Sequence, residues 1–241
     1  MAEYDRQTLN ARAGSAAAID EGLRSYMLRV YNYMGLGLVV TGVVAYLTSQ
    51  WAMSSQANAE LLYASPLAWV LMLSPLAFVL VLSFGINKLS VPAAQAVFWA
   101  FAAVMGVSLS SIFLVYTGAS IAKVFFITAA TFGAMSLYGY TTKRDLTGMG
   151  NFLMMGLIGI IIASIVNIFM QSTMMEFAIS VIGVLIFTGL TAYDTQKIKE
   201  SYSEHYGADV MAKNAIMGAL SLYLDFINLF MMLLRLFGNR E

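Results

Sequence analysis

The chain has 241 residues, of which 60% are apolar and only 11% charged, with basic and acidic side chains in balance and a mean hydropathy of +0.76. A soluble domain carries roughly 25% charged residues, so this composition excludes a globule in water and defines a membrane protein. The sequence has no cysteine, which excludes a disulfide framework, a thiolate zinc site and a cysteine nucleophile. No basic cluster is large enough to follow a nucleic-acid backbone.

Residues 1–30 mix arginines, acids and small side chains without an apolar core, and read as a cytoplasmic tail, not a signal peptide. Seven apolar runs follow, at 31–50, 66–86, 92–116, 124–142, 149–170, 177–196 and 214–234. Each is close to the ~20 residues that a helix needs to cross the hydrocarbon core, and none alternates as a membrane β-strand does. The expected fold class is an all-α integral membrane protein, with a seven-helix transmembrane domain over 31–238. Of the 13 Lys and Arg, ten fall in the tail and in the second, fourth and sixth loops, and three on the opposite side. Basic loops resist translocation, so the amino terminus is expected inside and the carboxyl terminus outside. A re-entrant last run would instead put both termini inside.

Gly35, Gly37 and Gly42 in the first run and Gly156 and Gly159 in the fifth read as close helix contacts, because small residues let helix backbones approach in lipid. Pro75 removes a backbone hydrogen bond from the second run and is expected to bend it. The single histidine, His205, lies in the sixth loop beside Glu204 and Tyr206 and reads as a solvated residue. Motifs for serine, zinc-dependent or nucleotide chemistry are absent from the sequence. No run holds a histidine to activate a hydroxyl, and the last run has no lysine to carry retinal. The chain is not expected to be an enzyme.

Only two charged residues lie inside the runs, Asp194 and Asp225. An Asp at a helix centre costs on the order of 2.5–3.5 kcal/mol on insertion scales, and such residues face a cavity or the bundle interior. Asp194 stands three residues before Lys197, within reach of an interfacial ion pair. Asp225 has no basic residue within a turn, but Ser221 and Asn228 place it in a polar stripe at i, i+4, i+7 spacing. Packing of the sixth run on the seventh would let the two acids approach, although counting from the loop between them leaves Asp194 shallower by roughly two turns. Two carboxyls that meet titrate as a unit. Ionised, they are hard ligands for a divalent cation such as Ca²⁺; sharing one proton, they close into a hydrogen bond. Thr191, Ser221 and Asn228 are the polar residues expected to line or support that site.

The segments YGYTTKRDLTGMGNFLMMGLIG (138–159), GLTAYDTQKIK (189–199) and ALSLYLDFINLFMMLLRLFG (219–238) strongly resemble the Bax inhibitor-1 family, and in particular its proteobacterial members. The resemblance implies a seven-helix bundle with the last helix at its centre, set in the bacterial inner membrane. It also implies a pH-sensitive calcium leak gated by a pair of aspartates, which fall on Asp194 and Asp225, with calcium as permeant or bound ion and no resident cofactor. Some members carry an arginine near the end of the second helix as partner of this pair. The corresponding stretch here, LSFGINKLS, has Gly85 and then Lys88, leaving Lys88 and Lys197 as the cationic candidates. Related bacterial proteins are linked to a membrane-bound protease, so the alternative is a modulator of a protease or stress-response complex. A proton-coupled transporter would be expected to show matched halves, and none is evident in the sequence.

Overall fold

A computed structural model describes residues 2–239, with side chains from residue 21 onward. Its helices, in chain order, are α1 (Ala2–Met53), α2 (Gln56–Ala59), a π-helical turn (Glu60–Ala64), α3 (Pro66–Gly85), α4 (Val91–Leu109), α5 (Ile112–Val115), α6 (Gly118–Thr141), α7 (Thr147–Met170), α8 (Thr173–Glu200) and α9 (Ala208–Phe237). Seven stretches are long and apolar enough to cross a membrane, with α4 and α5 together making the third.

Hydroxyl caps set the starts of α3, α4, α6 and α8, satisfying backbone N–H groups that the first turn leaves without partners. Ser65 accepts from the Leu67 amide at 3.1 Å, Thr117 from Ser120 at 3.2 Å and Ser172 from Met175 at 3.3 Å. Pro66 stands in the first turn of α3, where its missing N–H costs nothing, whereas Pro75 lies buried inside the same helix. The first crossing starts earlier than its apolar run: Tyr26, Met27 and Val30 are already buried in the bundle core.

The last helix occupies the centre. Its most apolar stretch is 72% buried inside the protein, against 6–33% for the other six crossings. Around it pack α1, α4, α6 and α8, covering Leu222, Tyr223, Leu229 and Leu234 completely. The Tyr223 hydroxyl meets the Thr41 hydroxyl at 2.6 Å, and Thr41 also lies 2.8 Å from the Ala102 carbonyl, which ties α1, α4 and α9 at mid-depth. At the far end, the Asn239 amide donates to Ser120 and its carbonyl accepts from Thr117. The two ends of the described chain therefore lie on opposite faces, referred to below as the N-terminal and C-terminal faces.

The glycines divide into two kinds. A Cβ at Gly37 would lie 3.1 Å from the Phe98 ring, at Gly106 2.6 Å from the Thr41 carbonyl and at Gly156 2.7 Å from Ile186, all close contacts of the expected sort. At Gly35, Gly42 and Gly159 a Cβ would meet nothing within 4 Å, so for these three the expectation of tight helix packing does not hold.

Candidate functional site

Two close approaches fix how α8 runs against α9. Ile198 packs where a Gly218 side chain would sit, at 3.1 Å, and Met232 does the same at Gly183, at 2.9 Å. Residue numbers on the two helices thus sum to about 416 at each level, which places Asp194 opposite Leu222 and one turn from Asp225. The difference in depth expected from the loop shrinks because α9 begins at Ala208. Its first two turns extend beyond the end of α8, where loop counting assumes that the two helices start level.

Across that one turn the Asp194 and Asp225 carboxyls adjoin and act on each other. A carboxylate can only accept, so two such groups close into a hydrogen bond when one of them carries a proton. Asp225 is 5% exposed and its Oδ2 is buried with no hydrogen-bond partner. Asp194 is half-buried and lines a cleft of about 230 Å³ that also takes in Lys197, Ser201, Asn214 and Ser221. The cleft lies at the N-terminal face, beside the loop joining α8 to α9. On the other side of the pair, Leu229 and Met232 lie at i+4 and i+7 from Asp225 on the same helical face, both buried. The carboxyls stand between a polar cleft and an apolar layer.

The other expected residues separate in the structure. Lys197 is exposed at the cleft rim, where its charge acts on Asp194 while its ammonium stands 5.9 Å from the Tyr193 ring centre. Lys88 is exposed in the α3–α4 loop and is not among the residues lining the cleft. Thr191 is wholly buried and donates to the Phe187 carbonyl of its own helix at 2.8 Å. Asn228 likewise turns back onto α9, donating to the Leu224 carbonyl at 2.8 Å. The stripe therefore splits: Ser221 faces the cleft, Asp225 joins the pair and Asn228 satisfies backbone. His205 sits exposed in the α8–α9 loop.

Sequence reasoning missed the frame around the pair. Tyr31 of α1 and Ser136 of α6 share a hydrogen bond of 2.5 Å, Ser136 and Thr195 of α8 another of 3.0 Å, and Thr195 donates to the Thr191 carbonyl at 2.7 Å. These bonds hold three helices together beside Asp194. Its one visible signal was Thr195 itself, a polar residue adjoining an intramembrane acid. Among the described residues no group of three or more His, Cys, Asp or Glu could hold a metal ion. A calcium ion takes six to eight oxygens, so the two carboxylates would need carbonyls or water to complete a shell.

Six crossings wrapped around a buried seventh that carries half of a carboxyl pair define a polytopic helical membrane protein with an ionisable site in its interior. The family model described as "Inhibitor of apoptosis-promoting Bax1" matches residues 23–241, and the chain belongs to this Bax inhibitor family. It is 50% identical over 233 residues to "Inner membrane protein YbhL" of Escherichia coli, covering 95% of this chain and 98% of that protein. It is also 50% identical to "Uncharacterized protein RP147" of Rickettsia prowazekii, over 92% of each chain. "Uncharacterized membrane protein SpyM3_0260" of Streptococcus pyogenes is 39% identical over 92% of this chain and 96% of its own length.

Proposed function

We propose that the protein is a pH-sensitive, calcium-permeable leak channel of the bacterial inner membrane, gated by the Asp194–Asp225 pair. One observation carries the reading: two adjoining carboxyls stand at the inner end of a polar cleft, with an apolar layer beyond them. Loss of the shared proton replaces a hydrogen bond with repulsion between like charges a few ångströms apart. The pair then separates, exposing four carboxylate oxygens to a cation entering from the cleft. With only two protein acids, such a site suits transit more than storage, since conduction needs binding weak enough to release the ion. The bias of Lys and Arg towards the N-terminal face supports a cytoplasmic cleft, and the name of the E. coli relative agrees with the inner membrane.

The test is calcium flux from proteoliposomes across a pH series, for the parent and for an Asp194→Asn, Asp225→Asn double variant. The reading predicts flux that rises with pH in the parent and a flat response in the variant. Unchanged flux with an unchanged pH response would sink it.

A further inference from the structure

The seam between α1 and α6 is bridged by the Tyr31–Ser136 hydrogen bond and is otherwise open. α1 packs on α4 and α9, and α6 on α8 and α9, while a row of cavities runs between α1 and α6 over the flank of the central helix. Nearest the N-terminal face is one of about 510 Å³, walled by Met27, Leu28 and Tyr31 on one side and Phe132, Gly133 and Leu137 on the other. It shares Phe132 with a second, of about 540 Å³, which is floored by Phe226 and reaches Gly35 and Val39. Gly42 and Phe125 belong both to this and to a third, of about 90 Å³.

The openness is written into the side chains. Gly35 and Gly42 on α1 and Gly133 on α6 all face space in which an added Cβ would meet nothing within 4 Å. Protein interiors pack densely, and a crevice of this size lined by Leu, Met and Phe has no favourable contents except apolar chains. Its mouth is different. Arg24, exposed on the N-terminal face, lines the 510 Å³ cavity and also a broader hollow of about 840 Å³, which is lined as well by Glu21, Arg29 and Asn32. No Asp or Glu lines any of the three cavities in the seam itself. From Arg24 to Gly35 the helix rises about 16 Å, half of the ~30 Å hydrocarbon core and so the depth of one leaflet.

We propose that the α1–α6 seam is a binding site for one anionic phospholipid, with an acyl chain in the crevice and the headgroup phosphate on Arg24. Basic side chains at the ends of membrane helices select acidic headgroups, and the walls and floor distinguish this position from the ordinary lipid boundary. The seated chain lies against Phe226, next in sequence to Asp225. Its wall includes Ser136, hydrogen-bonded to Thr195 beside Asp194.

Native mass spectrometry of the detergent-purified protein, titrated with phosphatidylglycerol or with phosphatidylcholine of matched chains, tests the assignment. The parent should hold one lipid per chain through detergent exchange and prefer phosphatidylglycerol. Arg24→Gln should lower that preference about fivefold, the effect of one surface basic contact. Gly133→Leu should abolish the tightly held lipid by filling the crevice. Gly159→Leu, an equally unobstructed glycine on α7 outside the seam, should retain it. Thermal unfolding in detergent establishes that Gly133→Leu folds; if it does not, Gly35→Leu replaces it. Equal binding of the two lipids by the parent, or undiminished occupancy in the folded crevice-filled variant, overturns the proposal. So does a lipid-free dimer that Gly133→Leu converts to a monomer, because a second copy of the chain would then be the occupant.

Discussion

Asp194 and Asp225 adjoin across the α8–α9 interface, at a register fixed on one side by Ile198 against Gly218 and on the other by Met232 against Gly183. The two glycines matter here for what they lack. A side chain at either would push the helices apart or slide them, and the carboxyls meet across a single turn. The pair is thus a product of helix packing several residues away as much as of the acids themselves.

Asn at position 225 keeps the size of Asp and a donor for Asp194, but carries no titratable proton. Asp225→Asn should fold, unfold within a few degrees of the parent, and lose the pH dependence of stability that the pair contributes. Asp194→Ala should be worse, since it deprives buried Asp225 of its partner, at a cost of about 1–3 kcal/mol. Thermal unfolding in detergent at two pH values measures both; an Asn variant that tracks the parent at every pH would show that the pair does not titrate with the fold.

The seven crossings and the two intramembrane acids were legible because insertion into lipid punishes any charge in a long apolar run, so each exception stands out in the sequence. The central place of α9 is not visible in its own residues, which are no more apolar than those of α7: lipid and protein interior accept the same side chains, and packing alone decides which helix is enclosed. The glycines failed as a class for the same reason. Gly37 and Gly35 lie two residues apart in one helix, yet one is pressed against Phe98 and a Cβ on the other would meet nothing within 4 Å. Thr195 and Ser136 were missed because a hydroxyl in a membrane helix can always bond its own backbone, and only the structure shows which ones reach a neighbour.

Gly139 and Gly133, both on α6, make opposite predictions. A Cβ at Gly139 would run into the Ala192 carbonyl of α8, whereas at Gly133 it would meet nothing. Gly139→Ala should therefore lower stability by about 1–3 kcal/mol through overpacking against backbone that cannot yield easily. Gly133→Ala should be neutral or stabilising by up to about 1 kcal/mol, because alanine favours the helix. Unfolding midpoints of the two variants, compared in one detergent, check the pair.

Gln196 pins the loop between α6 and α7 from within the bundle. Its Oε1 accepts from the Leu146 amide and its Nε2 donates to the Arg144 carbonyl, both at 2.8 Å. Leu146 is buried, so Gln196→Leu would leave that N–H without a partner. The expected results are faster amide exchange across 144–147 and a loss of about 1–3 kcal/mol. Hydrogen exchange by mass spectrometry resolves the peptide; protection equal to the parent's would mean that the loop is held by other contacts.

Asp145, in the same loop and outside the crossings, separates a local pH effect from one at the carboxyl pair. The Thr147 side chain and backbone amide both bond its carboxyl and hold it below the usual carboxylate value. A group lowered in this way adds stability that is present above its unfolded pKa and lost only as pH falls through the folded one. With the unfolded value near 4, Asp145 is ionised in both states from about pH 5 upward and contributes no slope there. Asp145→Asn should accordingly leave the pH profile of calcium flux unchanged above about pH 5, in contrast to Asp225→Asn. Flux from proteoliposomes containing each variant decides the matter, and an equal loss of pH response in Asp145→Asn would move the sensor from the carboxyl pair to the α6–α7 loop.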